Sequence, residues 1–394
     1  MQCKEEIAIS ADDAEFEEML REELVSAKPG KVIKLPAGKF QLSAGLTMIG
    51  KHGITIRGAG MDKTILSFQG QKQGAEGLMV KGNDFTIEDL AIEDSKGDTL
   101  KIEGGQNITI RRVRTEWTNG PDENNGAYGI YPVQCQNVLI EHSTAIGASD
   151  AGIYVGQSRN IIVRHNTARL NVAGIEIENS QFADVHDNTA TENTGGILVF
   201  DLPDLPVQGG QNTRVYKNKI INNNTANFAP SGNIVGRVPT GTGVMIMAND
   251  NIEIFENQIE NHKTTGLVIV SYYITENEIK DAKYDPTPEA IYVHNNQFAK
   301  NGYDPTGGSA FQSKKIVTAL SFKLGEPFPD VLYDGVLSEK LARDNQLPAD
   351  KRICLQHNGS IQFANLDAAN DFANIKRDLG THDCELKPLQ AIKW

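Results

Sequence analysis

A degenerate unit of roughly 22 residues recurs between about residue 83 and about residue 300. It reads N-I-x-V-x-x-N-x-A followed by G-I-x-V, as in NIIVRHNTARLNVAGIEIENS and NIEIFENQIENHKTTGLVIVSY. Short apolar runs of period two, separated by Asn and Gly turns at a repeating spacing, are typical of a parallel β-solenoid. Because each coil of a solenoid packs only on its neighbours, 394 residues can form one elongated domain.

Two sets of equivalent positions predict how the coils stack. Apolar pairs are expected to point inward in parallel rows about 4.8 Å apart, and asparagines at another position are expected to form a ladder of side-chain amides in a tight turn. The apolar pairs are Ile153/Val155, Ile175/Ile177, Ile197/Val199, Val244/Ile246, Leu267/Ile269 and Ile291/Val293. The ladder residues are Asn166, Asn188, Asn218 and Asn257, with Ser143 one coil earlier.

The chain divides into three predicted segments: an N-terminal cap with a first strand (4–36), a parallel β-helix (37–302) and a C-terminal tail (303–394). Residues 12–25 place Phe16, Leu20 and Leu24 on one helical face, which indicates a helix that plugs the open end of the solenoid. Since Cys354 and Cys384 both lie in the tail, a disulfide there would close a loop of about 30 residues and stabilise the fold by roughly 3–4 kcal/mol.

The remaining two cysteines receive different interpretations. Cys135 falls within a repeat and is predicted to be a small buried hydrophobe. Cys3 follows Met-Gln at the start of the sequence and is a candidate lipid anchor, with a free thiol as the alternative. A disulfide in the tail would require an oxidising compartment.

The formal charge of -13 restricts the partners. Nucleic acid and anionic membrane surfaces need a basic footprint, so neither is expected. No apolar run of about 18 residues is present, and no membrane span is predicted. The same charge disfavours an acidic polysaccharide unless a metal ion, with calcium as the candidate cofactor, or a local arginine cluster intervenes.

Three coils carry long inserts, at residues 115–128, 201–211 and 223–242. The first and third occur at the same point of the repeat, so they are expected to project from one side, with low coils between them. Two walls beside a low floor make a lateral groove, which is where elongated ligands lie in solenoids. The predicted partner is therefore a polysaccharide or another protein of the cell envelope, and the predicted substrate-binding residues are Trp117, Arg169, Asn171 and Phe228.

Two carboxylates stand out on the predicted groove floor. Glu176 and Glu178 are at i and i+2 of one strand, so they share a face about 6.5–7 Å apart. This separation lies near the lower end of the range for inverting glycosidases, in which one carboxyl acts as acid and the other activates water. Tyr154 would lie one coil below Glu176, and Asp150 and Asp201 flank the pair. The alternative is that these are solvated carboxylates on the face of a strand.

Other outward residues suggest different roles. The apolar residues Leu198, Phe200, Met245, Met247 and Val268 predict a cover, supplied either by the cysteine-containing tail or by a partner protein. His142 and His165 share a row with Asp187, and His186 is displaced by one position. This composition suits a metal, although stacking at 4.8 Å is too wide for one zinc shell. Arg111, Arg112, Arg114, Arg164 and Arg169 are predicted to form salt bridges to neighbouring acidic rows.

The segment VIKLPAGKFQLSAGLTMIGKHGITIRGAG and the coil motifs resemble the pectate-lyase-like superfamily over about residues 30–300. This resemblance implies a right-handed, single-stranded parallel β-helix. The segments SDAGIYVGQSRNIIVRHNTARLNVAGIEIENS and RICLQHNG also resemble exported bacterial parallel β-helix repeat proteins, which often carry lipoprotein signals. That second resemblance implies a periplasmic, outer-membrane-anchored or extracellular protein.

Motifs of characterised members of the superfamily are absent. The sequence contains neither the NTD and GHG motifs of polygalacturonases nor the DPHE motif of alginate C5-epimerases. Arg237-Val-Pro239 matches the start of the R-x-P-x-x-R motif of pectate lyases but lacks its second arginine; in a lyase, the candidate catalytic residue would be Tyr154, Arg237 or Arg169. Three hypotheses follow: a polysaccharide lyase or hydrolase, a non-catalytic scaffold whose outward apolar rows dock a partner, and a metal-handling periplasmic β-helix.

Overall fold

The structure, a computed structural model, describes residues 6–8 and 13–393. Cys3, the candidate lipid anchor, lies outside the described residues. Within them, no helix is long and apolar enough to cross a membrane.

The described strands form two parallel sheets that wind around one apolar core, as the repeat predicts. The smaller sheet has 11 strands. In chain order these are β4 (Ala44–His52), β7 (Gln73–Asn83), β9 (Leu100–Glu103), β11 (Tyr128–Val133), β14 (Ala151–Gly156), β17 (Ala173–Glu178), β20 (Gly195–Phe200), β23 (Thr242–Met247), β26 (Thr265–Val270), β29 (Val331–Tyr333) and β31 (Phe363–Asn365).

The larger sheet has 20 strands in two rows, which the long strands β8 and β10 join because each spans both rows. Its strands are β1 (Glu6–Ala8), β2 (Val32–Lys34), β3 (Gly38–Gln41), β5 (Thr55–Arg57), β6 (Thr64–Ser67), β8 (Phe85–Glu93), β10 (Gln106–Glu116), β12 (Gln136–Glu141), β13 (Thr144–Ile146), β15 (Arg159–Arg164), β16 (Thr167–Arg169), β18 (Gln181–His186), β19 (Thr189–Thr191), β21 (Gln211–Tyr216), β22 (Lys219–Ile221), β24 (Asp250–Phe255), β25 (Gln258–Glu260), β27 (Ile291–His294), β28 (Gln297–Ala299) and β30 (Ile353–Gln356).

Inward apolar rows hold the coils together. Ile153, Ile175, Ile197, Val244 and Leu267 lie in register in the smaller sheet and are fully buried. One assignment was wrong, because Ile291 and Val293 lie on β27 of the larger sheet, where they pair with β24 and β30. The smaller sheet continues instead with Val331 and Tyr333. Inward and outward residues alternate in both sheets, so periodicity alone cannot assign a strand to one of them.

The predicted asparagine ladder runs through the turn between the two rows of the larger sheet. Each amide donates to the side-chain oxygen of the asparagine in the next coil, at 2.9–3.0 Å. Its members are Asn166, Asn188, Asn218, Asn257, Asn296 and Asn358. These bonds satisfy buried turn groups that would otherwise be unpaired.

A second ladder, which the repeat analysis did not identify, runs along the turn that leads into the smaller sheet. It contains Asn171, Asn193 and Asn223, and continues through His262 to Asn301. Glycine is required beside it: a Cβ at Gly174 would lie 2.8 Å from Asn193 Nδ2, and one at Gly196 would lie 2.9 Å from Asn223 Nδ2.

Caps close the solenoid as predicted at the N-terminus. Helix α1 (Asp13–Ser26) buries Phe16, Leu20 and Leu24, and Phe16 stacks on Phe40 with ring centroids 3.8 Å apart. The second helix, α2 (Phe311–Leu324), packs on the outer face of the smaller sheet. Short 3₁₀ helices occur at Ile234–Arg237, Tyr272–Thr275, Ala349–Lys351, Ala368–Asn370 and Gly380–His382.

The predicted disulfide between Cys354 and Cys384 is present, and Cys135 is free and buried. Beyond the disulfide, the chain runs back across the outer face of the larger sheet. There the backbone N–H of Leu389 donates to Glu253, and that of Ile392 donates to Asp184.

Candidate functional site

One outward row of the smaller sheet changes character along the solenoid axis. In register, this outer row runs Thr47, Met79, Lys101, Tyr131, Tyr154, Glu176, Leu198, Met245, Val268 and Leu332. Its first four members are exposed or half-buried, and the rest are buried. The open part of the row therefore ends at Tyr131, and Tyr154 and Glu176 are the first two residues of the covered part.

Five carboxyl groups gather at this boundary, and we call them the acid cluster: Asp98, Asp150, Glu176, Glu178 and Asp201. Asp98 is half-buried, and the other four are buried. None of the five forms an ion pair with a described lysine or arginine, although Lys101 lies close enough to Asp98 to act on its pKa. Buried carboxyl groups without a cation favour the protonated form.

Asp150 and Glu176 form a buried carboxyl pair in which the protonated form is favoured. Burial raises the pKa of Asp150 to about 8, and burial with the nearby Asp150 raises the pKa of Glu176 well above its usual value. The two carboxyls hydrogen-bond to each other, and Asn233 of the third insert donates to Asp150 Oδ2 at 3.3 Å. Glu176 Oε2 is buried without a hydrogen-bond partner among the described residues. The pair can thus hold a proton near neutral pH and has one carboxyl oxygen to spare.

Glu178 lies on the same strand face as Glu176, two residues along β17. The hydroxyl of Tyr154 donates to Glu178 Oε1 at 2.6 Å. Burial raises the pKa of Glu178 to about 7, although the Tyr154 hydrogen bond lowers it. A glycine is needed for this contact, since a Cβ at Gly156 would lie 2.3 Å from the Tyr154 ring.

Aromatic rings surround the acid cluster on its open side. Tyr128 and Tyr131 lie 4.4 and 5.0 Å from Tyr154, measured between ring centroids, and Lys101 Nζ sits 5.2 Å from the centroid of Tyr131. Burial raises the pKa of Asp98 and of Asp201 to about 6 each. The arrangement provides proton donors and acceptors that exchange protons between about pH 6 and 8 beside flat apolar surfaces.

The structure brings together five of the predicted catalytic residues, namely Glu176, Glu178, Tyr154, Asp150 and Asp201, and excludes the sixth. Arg237 lies in the 3₁₀ helix of the third insert and donates to Asn277 Oδ1 at 2.9 Å instead. Arg237 was predicted to be catalytic from a partial motif. In the folded insert its guanidinium hydrogen-bonds to Asn277 and not to a carboxyl of the acid cluster.

The predicted substrate-binding residues do not form one surface. Trp117 is buried and donates its indole N–H to the carbonyl of Ser95 at 2.7 Å. Asn171 is a fully buried member of the second ladder. Phe228 packs within the third insert, and Arg169 lies on β16 of the larger sheet, with no described contact to the acid cluster. The predictions for Trp117 and Asn171 were wrong because both side chains are buried and form hydrogen bonds within the protein.

The cover over the outward apolar residues comes from the chain itself. Leu198, Phe200, Met245, Met247 and Val268 pack against the third insert and α2. Val238 approaches so closely that a Cβ at Gly195 would lie 3.0 Å from it. The third insert therefore lies over the floor rather than beside it as a wall, and these apolar rows are not available to dock a partner protein.

The histidine row is part of an aromatic stack on the outside of the larger sheet. His142 and His165 stack at 5.0 Å, and His186, Tyr216 and Phe255 follow at 4.7 and 4.8 Å. Among the described residues, no group of three or more His, Cys, Asp or Glu side chains is arranged to hold a metal ion. Calcium remains a sequence prediction without a described site.

The predicted arginine salt bridges are confirmed for four of the five residues. Arg111 and Arg112 bind Glu88, Arg114 binds Glu93, and Arg164 binds Glu141. Arg169 forms no ion pair with a described residue.

Sequence reasoning missed Asp98, Tyr128 and Asn233. In the coil alignment Tyr128 lies opposite Ala151, and Tyr131 is the residue opposite Tyr154, so the alignment carried no signal for Tyr128. Asn233 lies in an insert with no repeat to align. Only folding of the insert brings its amide to Asp150.

Comparison with known proteins identifies the fold. Residues 52–209 match the family model of the right-handed β-helix region. This chain is a right-handed parallel β-helix. No curated protein matches its sequence, but the superposition on solved structures agrees with the superfamily resemblance at the level of fold.

Two solved β-helices illustrate that likeness. The A-module of mannuronan C-5 epimerase AlgE4 from Azotobacter vinelandii is 17% identical with a TM-score of 0.54, over 83% of this chain and 88% of that one. The catalytic unit of a GH87 α-1,3-glucanase from Streptomyces thermodiastaticus strain HF3-3 is 14% identical with a TM-score of 0.50, over 84% of this chain and 49% of that one. At these identities the likeness concerns the fold.

Proposed function

We propose that this β-helix is a carbohydrate-active protein that hydrolyses a polysaccharide at the acid cluster. The observation that carries the proposal is the Asp150–Glu176 pair, which holds a proton beside a second carboxyl, Glu178, whose pKa is about 7. Hydrolysis of a glycosidic bond needs such a donor and acceptor, which flank the scissile bond. The names of the two similar structures, a mannuronan epimerase and an α-1,3-glucanase, agree with a carbohydrate substrate.

The roles follow from the hydrogen bonds. Glu176, whose protonated form is favoured in the pair with Asp150, is the general acid that protonates the leaving oxygen. Glu178 is the base that activates water, and Tyr154 holds it in place. Positions i and i+2 of a strand are about 6.5–7 Å apart, which leaves room for a water molecule and favours inversion at the anomeric carbon.

Charge distinguishes between substrate classes. A uronate polymer would bring a further carboxylate to five carboxyl groups that have no ion-paired cation, and each of the five that ionises would repel it. The aromatic surfaces of Tyr128 and Tyr131 suit the apolar faces of uncharged sugar rings. We therefore assign a neutral polysaccharide to the site. The tail disulfide agrees with an exported protein, because disulfides persist in oxidising compartments.

A screen of glycans tests this function. Neutral glucans, mannans and xylans, with alginate and polygalacturonate as uronates, would be incubated with the protein and assayed for new reducing ends and for the absorbance of unsaturated products. We expect reducing ends from at least one neutral polymer, no unsaturated product, and loss of activity in Glu178→Gln.

The matched control is Glu289→Gln. Glu289 also belongs to a buried carboxyl pair, since its backbone N–H donates to Asp250 Oδ1 at 2.9 Å and its pKa is raised to about 9, mainly by burial and Asp250. It lies outside the acid cluster, so this variant should retain activity. If no glycan is turned over, or if both variants behave alike, the enzymatic proposal fails and a binding or scaffold role replaces it.

A further inference from the structure

The covered half of the outer row closes one end of the surface that leads to the acid cluster. We infer, on the basis of the proposed function, that the protein acts on the end of a polysaccharide chain rather than on internal bonds. The outer row is open from Thr47 to Tyr131, and from Tyr154 onward it is covered.

The open side is a strip of four coils on the N-terminal side of the acid cluster. Its outward residues are Thr47, Ile49, Met79, Lys101 and Tyr131, and we call it the open strip. Ile49 is 58% exposed, whereas its neighbour Met48 points to the opposite face of the strand and is buried in the core. At about 4.8 Å per coil, the strip from Thr47 to Tyr131 is roughly 14 Å long. Its apolar and aromatic side chains offer an uncharged sugar chain a surface along the solenoid axis.

The opposite side is covered from the coil after Tyr131 onward: Tyr154 is 3% exposed and Glu176 is 2% exposed. Leu198 is the next residue of the outer row and is fully buried, and Met245 and Val268 follow beneath the same cover. Val235 and Val238 of the third insert and Val317 of α2 contribute to that cover. The space left inside it is an apolar cavity of about 80 Å³.

Backbone contacts fasten the cover. The N–H of Ala310, just before α2, donates to the carbonyl of Gly236 in the third insert at 2.8 Å, and Thr240 forms an antiparallel bridge with Thr306. Asn233 of the same insert reaches Asp150. The edge of the cover therefore touches the acid cluster itself and forms an end wall to the open strip.

A polymer chain bound across a groove needs a floor on both sides of the cleaved bond. Here the open floor exists on one side only, so the chain must end at the wall, and only its terminal part can reach the edge of the cover, where Tyr154 and Glu176 lie. Cleavage at that point releases a short product of uniform length, after which the shortened chain can advance.

The experiment follows product formation on the neutral polysaccharide that the glycan screen identifies. We expect reducing ends to accumulate with little loss of viscosity, one short product from the earliest time points, and resistance of cyclic oligosaccharides and of linear oligosaccharides whose terminal sugar is chemically blocked. Blocking the reducing and the non-reducing end in separate substrates shows which end enters.

A variant on the open strip provides a second readout. Ile49→Asp is expected to lower kcat/KM roughly tenfold for long chains, the factor that corresponds to 1.4 kcal/mol, and to leave the shortest substrates unaffected. Val25→Asp is the matched control, because Val25 is another exposed aliphatic residue, located on α1 outside the strip.

The outcomes separate the two proposals. Rapid viscosity loss with products of mixed length, or turnover of cyclic substrates, would overturn the chain-end inference and leave the proposed hydrolase intact. A protein that neither cleaves nor binds any glycan of the panel overturns the proposed function, and the chain-end inference with it.

Discussion

The pKa values of carboxyl groups on the outer faces of the two sheets are shifted in opposite directions. On the larger sheet, Glu88 is buried, and burial alone would raise its pKa, but hydrogen bonds from Arg57 and Arg111 outweigh burial and lower it. Asp89 has a lowered pKa chiefly because Arg112 donates to it. On the smaller sheet, the buried carboxyls of the acid cluster have no ion-paired cation, and their pKa values are raised.

The difference shows that burial does not decide what a carboxylate does in this fold. An arginine in the adjacent coil makes it a structural ion pair, whereas a tyrosine or a second carboxyl in that place makes it a group that exchanges protons near neutral pH. The same coil geometry, with side chains about 4.8 Å apart, serves both purposes.

The largest expected effect is a loss of activity that distinguishes the carboxyls of the acid cluster from the ion-paired carboxyls of the larger sheet. Glu176→Gln should lower kcat on the responsive glycan by a factor of at least ~10², because a glutamine keeps the hydrogen-bonding shape but cannot donate an acidic proton. Steady-state kinetics on protein whose circular dichroism matches the wild type measures this. Glu88→Gln is the control and should change kcat by much less. Equal losses in both variants would mean that Glu176 acts through the fold.

A second prediction concerns stability against pH. The pKa of Glu178 is raised from 4.5 to about 7, so between these values the folded protein binds more protons than the unfolded chain, and stability falls as pH rises. Glu178→Gln removes that fall, and its stability relative to wild type should increase by on the order of 3 kcal/mol from pH 4 to pH 8. Urea unfolding across this range is the measurement.

Glu88→Gln should behave in the opposite way. A lowered pKa contributes stability above the unfolded pKa and loses it as pH falls through the folded pKa. The variant should therefore be less stable than wild type at pH 7, and the difference should shrink in acid. If the stability of the two glutamine variants relative to wild type changed with pH in the same direction, the carboxyls of the two sheets would not differ in the way proposed.

A smaller effect is expected at the glycine beneath Tyr154. Gly156→Ala places a methyl group 2.3 Å from the ring, so the ring must move away from Glu178, and we expect a loss of roughly 1–3 kcal/mol in unfolding free energy. Gly70→Ala is the control, since nothing lies within 4 Å of a Cβ there. Similar unfolding midpoints for the two variants would show that Tyr154 does not depend on that space.

The smallest expected change comes from Tyr154→Phe. The variant loses the hydrogen bond that lowers the pKa of Glu178, so this pKa should rise further, at a cost of roughly 0.5–1.5 kcal/mol when Glu178 is ionised. Carboxyl chemical shifts followed by NMR across a pH titration would detect the shift. Tyr216→Phe, on the larger sheet, should leave the titration of Glu178 unchanged.

Particular residues show how far sequence reasoning reached. The alternation along β17 was enough to place Glu176 and Glu178 on one face, with Tyr154 one coil away, because side chains in a strand alternate with a period of two. The predicted groove led to the assignment of Asn171 to substrate, although Asn193 and Asn223 recur at equivalent positions before the glycines of the next coils. The sequence alone does not distinguish an asparagine of a ladder from one in a groove, because the two differ only in the hydrogen bonds of the folded turn.

The repeat by itself determined the parallel coils, the inward rows and the ladder, because these depend on contacts between neighbouring coils that the sequence period encodes. Tertiary structure alone decided that the third insert and α2 lie over the smaller sheet, that Asn233 reaches Asp150, and that the open strip ends at Tyr131. Those contacts join segments far apart in the chain and outside the repeat. Their geometry depends on how non-repeating loops pack, which no local period records.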